Sequence, residues 1–204
     1  LKPPLTLMYD PVIDLLQSDK LSPEQVNNLT IIKRNSKRLY KLITDLLDFR
    51  KITHKQHVFE LKETAISGII TDVYEAFRED CRNKSIALKC LVNHDLTGLV
   101  DATKIEKILW NLMSNALKYT NKRGSITLSA EELTVDEKKY LKLVVGDNGI
   151  GISADDKDRI FERFYKVPHP EAVNREGTGI GLSIVKELVE MHHGIIKVES
   201  ALGT

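Results

Sequence analysis

The stretch VVGDNGIGIS, residues 144–153, ends an apolar run in an acid, Asp147, and follows it with two glycines around one isoleucine. Further along, EGTGIGLS at 176–183 places three glycines at alternate positions. Glycine allows the backbone to approach a ligand closely. A glycine-rich segment that opens a helix also offers free N–H groups and a positive dipole end to phosphate. The two stretches together predict a nucleotide site bordered by two loops.

Two common glycine loops do not fit this chain. No glycine is followed by lysine anywhere, which excludes a Walker-type phosphate loop. Gly149-x-Gly151-x-x-Ala154 formally matches a dinucleotide fingerprint. The acid-bearing strand expected about twenty residues later is missing, however, and FERFYKVPHPEAVNREG lies there instead. A Rossmann domain is therefore disfavoured.

Asp147 suits the recognition of adenine. A carboxylate at the rim of a buried strand needs a hydrogen-bond donor to offset its desolvation, and the exocyclic amine of adenine is one. Between the two glycine stretches, Arg163, Lys166 and Arg175 lie in a long irregular segment. Such a segment beside a phosphate site is typical of a mobile lid, and an ordinary surface loop with solvated charges is the alternative.

The segment ATKIEKILWNLMSNALKY, residues 102–119, predicts a helix capped by Asp101. Asn111, Asn115 and Lys118 share one face of it. Amide oxygens can bind Mg²⁺ alongside phosphates, and Lys118 can neutralise phosphate charge. The opposite face is predicted to be core and comprises Ile105, Ile108, Leu109, Leu112 and Ala116.

The N-terminal part predicts two helices. Residues 5–16 and the segment from Ser22 to about Arg50 both carry apolar residues at alternating spacings of three and four. A helical hairpin buries such stripes when two copies form a four-helix bundle, although packing on the following domain would also bury them. We place a domain boundary at 57/58, giving 1–57 and 58–204. The first part carries ten Lys/Arg against six Asp/Glu, and the rest twenty against twenty-three.

The rest of the chain alternates strands and helices. Strands are predicted at 58–62, 86–92, 97–100, 124–132, 139–147 and 195–200, and helices at 65–82, 102–119, within 154–164 and at 179–193. This order indicates an α+β protein in which the hairpin precedes a two-layer α/β sandwich with a mixed sheet. The two cysteines are expected to be free thiols. A net charge of +1 and the lack of a long apolar run predict no contact with nucleic acid or membrane.

Four motifs carry a family resemblance. NLMSNALKYT, GDNGIGIS, IFERFY and GTGIGLSIVKEL resemble the N, G1, F and G2 boxes of sensor histidine kinases, in that order. The implied fold is the ATP-binding sandwich shared with gyrase B, mismatch-repair ATPases and a heat-shock chaperone family. LLDFRKI is similar to hybrid two-component sensors, which are membrane-anchored bacterial proteins with a cytoplasmic kinase portion. The hairpin resembles the dimerisation and histidine-phosphotransfer helices of these kinases.

The resemblance implies a site for ATP and Mg²⁺. Asn115 would hold the metal, and Asp147 would accept a hydrogen bond from the adenine amine. The ATP-binding residues implied by the motifs are Asn111, Asn115, Lys118, Tyr119, Asp147, Gly149, Gly151, Ile152, Arg163, Phe164, Lys166, Gly177, Thr178, Gly179, Gly181 and Leu182.

The implied reaction is transfer of the γ-phosphate to a histidine and then to an aspartate of a response-regulator receiver domain, in cis or in trans. In the family, that histidine and an adjacent acid directly precede a segment like LKPPLTL. We therefore expect both to lie before Leu1, so that the 204 residues bind nucleotide without autophosphorylating. Pro3 replaces a Thr or Asn credited with positioning water, which puts phosphatase activity in doubt.

Two other functions fit parts of the sequence. A gyrase- or chaperone-type ATPase needs a glutamate base one turn before the metal-binding asparagine, and Asn111 occupies that place. A non-enzymatic dimeric scaffold would not need the glycine stretches.

Overall fold

A computed structural model of the chain describes Val12, Leu15 and residues 21–53, 59–168 and 177–202. The described residues divide into two compact units. One holds those up to residue 53 together with 177–180, and the other holds 59–168 and 181–202. The predicted boundary at 57/58 lies outside the described residues.

The N-terminal unit contains helix α1, Pro23–Thr53. A capping box forms at its start, because Gln25 N–H donates to Ser22 Oγ at 3.2 Å and Ser22 N–H donates to Gln25 Oε1 at 2.8 Å. Apolar side chains with 40–53% exposure lie along this helix: Val26, Ile31, Ile32, Leu39, Tyr40 and Leu46. Of the predicted preceding helix only Val12 and Leu15 are described, both helical, so the hairpin stays a prediction.

The larger unit contains five strands and three α-helices among the described residues. In chain order these are β1 (Lys62–Ala65), α2 (Ile66–Asn83), β2 (Ala87–Val92), β3 (Thr97–Val100), α3 (Ala102–Tyr119), β4 (Ser125–Val135), β5 (Lys138–Asp147) and α4 (Gly181–Met191). Two one-turn 3₁₀ helices, Ala154–Asp156 and Arg159–Phe161, lie between β5 and α4.

The strands form two sheets. β1 and β3 pair antiparallel, while β4 lies between a parallel β2 and an antiparallel β5. The three-stranded sheet is therefore mixed, as predicted. Ile126, Leu128 and Ala130 line the buried face of β4, and α2 and α3 pack against that sheet. The helices contribute most of the other buried apolar side chains: Ile66, Ile70, Val73, Phe77, Cys81, Ile105, Ile108, Leu109, Met113, Ala116, Ile184, Val185 and Leu188. The mixed α/β architecture is confirmed.

Three predicted elements differ. The strand predicted at 58–62 begins only at Lys62, the helix predicted within 154–164 is two 3₁₀ turns, and 195–200 is not a strand. β-branched residues favour a strand at 195–200, but a strand also needs a hydrogen-bonded neighbour and a buried face. Ile195 is 82% exposed and so lacks that burial.

The Asp101 side chain links the start of α3 to the backbone just before β1. Its Oδ1 accepts from the Thr103 and Lys104 N–H groups at 3.1 and 3.2 Å, which caps the helix as predicted. Its Oδ2 accepts from Glu60 N–H at 3.3 Å. Burial alone would raise the pKa of this carboxyl, but the hydrogen bonds from Thr103, Glu60 and Lys104 and the Lys104 charge bring the pKa below its usual value.

His192 ties the end of α4 to the same place. Its Nε2 accepts from Asp101 N–H at 3.2 Å, and its Nδ1 lies 2.8 Å from Leu188 O. Since Nε2 accepts, Nδ1 carries the proton and donates to that carbonyl, so the bonding requires a neutral imidazole. The Phe59 ring meets the imidazole edge-on, with centroids 4.7 Å apart.

Trp110 packs beside Phe77, with ring centroids 4.8 Å apart, and remains 43% exposed.

Among the described residues, no helix has the length and apolar character needed to cross a membrane.

Candidate functional site

Two sets of hydrogen bonds hold the loop after β5. Gly149 N–H donates to Asp147 Oδ1 at 2.9 Å, which closes a turn two residues long. Asn148 Oδ1 accepts from Ser125 N–H at 2.6 Å, and Asn148 N–H donates to Ser125 O at 3.2 Å. The start of this loop is therefore fixed to the start of β4.

Asp147 keeps one carboxylate oxygen unused. Among the described residues, Oδ2 has no hydrogen-bond partner. The residue as a whole is exposed, yet the surrounding protein removes enough water from the carboxyl to raise its pKa above the usual value, and the Gly149 N–H opposes that rise. A donor supplied by a ligand would compensate for this lost hydration.

Gly149 brings the loop against the end of α3. A Cβ at this position would lie 2.5 Å from Tyr119 O and 2.6 Å from Asp147 Oδ1, so no larger residue fits. The close approach places the carboxyl end of β5 and the last turn of α3 side by side. These are two of the segments that the sequence predicts to line the nucleotide site.

The end of the same loop contacts residues near the C-terminus. Gly151 has a φ of +72°, and a Cβ there would overlap Ala201 O. Ile152 N–H donates to Ser200 Oγ at 3.0 Å. The segment 200–201 therefore packs directly on the loop.

The polar face of α3 is organised from its middle to its end. Asn111 Nδ2 donates to Lys107 O at 2.8 Å, and its Oδ1 lies 2.9 Å from where a Gly181 Cβ would be, at the start of α4. Lys118 Nζ donates to Tyr119 OH at 2.7 Å. Asn115 is half-buried, and its side chain has no hydrogen-bond partner among the described residues.

A side-chain cluster lies in the first part of the predicted lid. Asp156 accepts from Ser153 Oγ at 2.6 Å and from Tyr165 OH, and the Arg159 guanidinium lies 4.3 Å from the centroid of the Tyr165 ring. The hydrogen bonds from Ser153 and Tyr165 hold the pKa of Asp156 below its usual value. The cluster links residues 153–165 by side-chain contacts. Within this segment, Phe164 is exposed and has a φ of +64°.

The structure brings together only part of the predicted set. Asp147, Gly149 and Tyr119 meet, as do Asn111 and Gly181, and Leu182 lies half-buried in the first turn of α4. Arg163 and Lys166 are exposed. Residues assigned to the N-terminal unit or lying outside the described ranges are not placed relative to this site: Gly177, Thr178, Gly179 and Arg175. The nucleotide-binding roles of all these residues stay predictions.

Sequence reasoning missed three residues that shape the site. Asn148 fixes the start of the loop after β5, and Tyr165 bonds to Asp156 within the predicted lid. Ser200 accepts a hydrogen bond from Ile152 of the loop, 48 positions away in sequence. The Asp-Asn-Gly order after a strand is a turn signal that points to Asn148. Neither a local pattern nor a spacing identifies Ser200, because its partner is distant in sequence.

The donor set suits a magnesium ion shared with phosphate. The described residues contain no cluster of three or more His, Cys, Asp or Glu side chains that could hold a metal. Mg²⁺ typically keeps waters and takes few protein ligands beside phosphate oxygens. An unpaired amide such as Asn115 meets that need.

A comparison with protein families identifies the domain. Residues 100–204 match the family described as histidine kinase-, DNA gyrase B- and HSP90-like ATPase. The chain belongs to this family. This ATPase domain includes α3, the loop after β5 and α4, the elements that bring the predicted site residues together.

Proteins similar to this chain include histidine kinases. Histidine kinase P4 of Formosa agariphila is 35% identical over 199 residues, which is 96% of this chain and 14% of that protein. Full-length ShkA in complex with AMPPNP has a TM-score of 0.78 at 28% identity, over 99% of this chain and 41% of that one. Histidine kinase ThkA in complex with the response regulator protein TrrA has a TM-score of 0.66 at 26% identity, over 95% of this chain and 52% of that one. The chain thus carries the ATP-binding catalytic domain of a histidine kinase and spans a small part of its curated relative.

Proposed function

We propose that the chain is the kinase core of a two-component sensor, which binds Mg·ATP and transfers the γ-phosphate to a histidine. The observation that carries the proposal is the turn at Asp147. One oxygen holds Gly149 N–H, and the other, partly desolvated, is left for the amine of adenine. That ShkA was solved with an ATP analogue supports the same reading.

The face of α3 would bind the phosphates. Asn115 offers an amide oxygen to Mg²⁺, which neutralises phosphate charge when bound. Lys118, held by Tyr119 OH, adds a positive charge at the last turn. The start of α4 at Gly181, next to Asn111, would direct free N–H groups toward phosphate oxygens.

The transfer needs positioning more than covalent chemistry. An imidazole nitrogen of the acceptor histidine attacks the γ-phosphorus while the bond to the bridging oxygen breaks and ADP leaves. A neighbouring acid takes the imidazole proton. The phosphoryl group then passes to a carboxylate oxygen of an aspartate in a receiver domain. The solved complex of ThkA with a response regulator supports this partner class. As the resemblance implies, the parent would be membrane-anchored, with this portion cytoplasmic.

Asp147→Asn tests adenine recognition without breaking the turn. The Asn oxygen can still accept from Gly149 N–H, but an NH₂ group would then face the adenine amine. Loss of a charge-assisted hydrogen bond, worth about 1.5–3 kcal/mol, should weaken AMPPNP binding about ten- to a hundredfold in isothermal titration calorimetry. Because the native carboxylate is partly desolvated, the variant should unfold at no lower urea concentration than wild type. Unchanged AMPPNP affinity would refute the assignment of Asp147.

Incubation with γ-labelled ATP tests the acceptor. None of the six histidines in these 204 residues occupies the family's acceptor position. We therefore expect the chain to bind ATP and to gain no acid-labile phosphate. Label on His54 or His57 would show that the acceptor is misassigned. Steady release of inorganic phosphate would instead favour the ATPase alternative, which the amide at Asn111 opposes.

A further inference from the structure

We propose that Ser200 is a positioning residue for the loop that receives the nucleobase. The inference rests on the proposed ATP site and extends it to a residue outside the four sequence motifs. The Ser200 hydroxyl oxygen accepts a hydrogen bond from the Ile152 N–H at 3.0 Å, in a partly buried setting.

The loop has one anchor at each end. At its start, Asp147 and Asn148 fix the backbone to Gly149 and to the beginning of β4. At its other end, the hydrogen bond from Ile152 to Ser200 ties the loop to residues distant in sequence, while Ser153, one residue on, bonds within the following 3₁₀ turn to Asp156. Loss of the second anchor would leave the turn at Asp147 intact and release the residues that follow Gly149.

Gly151 makes this contact a close one. Its φ of +72° and the position of Ala201 O leave no room for a side chain, so the two backbones pack directly together. The loop and residues 200–201 are therefore in direct backbone contact beside the Ile152–Ser200 hydrogen bond. Ile152, which is half-buried, would line the base pocket in the geometry that this packing sets.

A comparison of ligands separates positioning from general loss of structure. Ser200→Ala should weaken AMPPNP binding about three- to tenfold, the effect of one neutral hydrogen bond. Tripolyphosphate, which lacks a base and competes only for the phosphate side, should bind the variant as it binds wild type. Ser200→Thr keeps the hydroxyl and should restore AMPPNP affinity. If Ser200→Ala weakened the binding of both AMPPNP and tripolyphosphate, or of neither, the proposal would be overturned.

Ser129→Ala is a matched control. Ser129 is a half-buried serine on β4 and lies outside the proposed site, so its removal should leave both affinities unchanged. If wild type binds no AMPPNP, the proposed function fails, and the anchor is still tested by amide hydrogen exchange. Ser200→Ala should accelerate exchange at Ile152 and leave Val144 and Gly146 of β5 protected, since these two residues lie at hydrogen-bonded positions opposite β4. Unaltered exchange at Ile152 would show that Ser200 does not hold the loop.

Discussion

Two aspartates show how surroundings set the behaviour of one residue type. Asp101 is almost fully buried, yet the hydrogen bonds from Thr103, Glu60 and Lys104 outweigh desolvation and lower its pKa. Asp147 receives one hydrogen bond, and desolvation raises its pKa. The first is satisfied within the protein, which suits a structural role. Asp147 still has one carboxylate oxygen without a hydrogen-bond donor among the described residues, which suits ligand binding.

The lowered pKa of Asp101 predicts a pH dependence of stability. The ionised carboxylate is favoured in the folded state, so its stabilisation is present above the unfolded pKa of about 3.9 and is lost as the pH falls through the lower folded value. Asp101→Asn keeps the helix cap but loses the charge. We expect it to be about 1 kcal/mol less stable than wild type near neutral pH.

Urea unfolding of wild type and Asp101→Asn as a function of pH checks this. The two curves should converge as the pH falls below about 4, because wild type then loses the charge as well. A difference that stays constant down to acid pH would mean that the Asp101 charge contributes nothing.

Helix α3 was the most predictable element because several independent signals agree along it. Asp101 caps it, the apolar spacing matches a single face, and the four apolar residues Ile105, Ile108, Leu109 and Ala116 are buried as expected. Met113 completes the core, whereas the predicted Leu112 is only half-buried. The 3₁₀ turns at 154–161 were mispredicted because side-chain bonds around Asp156 shape them. Too short for a periodic pattern, such turns leave little trace in sequence.

The junction between α3 and α4 depends on His192. His192→Ala removes the acceptor of Asp101 N–H and leaves that donor buried and unsatisfied, which should cost about 1–3 kcal/mol of unfolding free energy. His193→Asn is the control, because His193 is exposed with a φ of +55° and asparagine tolerates that conformation. Chemical denaturation should show a change within about 0.5 kcal/mol for the control. Equal losses in both variants would contradict the assigned role.

The two compact units differ in how far sequence alone could resolve them. For the larger unit, motifs and periodicity predicted the mixed sheet and its helical layer. They could not predict which distant segments meet, such as Ser200 with Ile152, since such contacts depend on packing over the entire chain. For the N-terminal unit, apolar spacing predicted α1, but the side chains that remain exposed on it imply a further partner.

That partner is expected to be a second copy of the chain. Light scattering should show a dimer, and Ile32→Glu combined with Leu39→Glu should yield a monomer, because both side chains are 46% exposed on α1 and charges there oppose burial. Leu99→Glu is the matched control, since Leu99 is 67% exposed on β3 and is not part of the helical stripe. A monomeric wild type, or a dimer that survives the double substitution, would exclude dimerisation through this helix.

The placement of Trp110 makes the domain easy to follow in real time. It is the only tryptophan in the sequence, it stands one residue before Asn111, and its ring is partly open to water beside Phe77. Indole emission therefore comes from a single known point on α3. Stopped-flow fluorescence could record ligand arrival on unlabelled protein, with every variant carrying the same intrinsic optical probe.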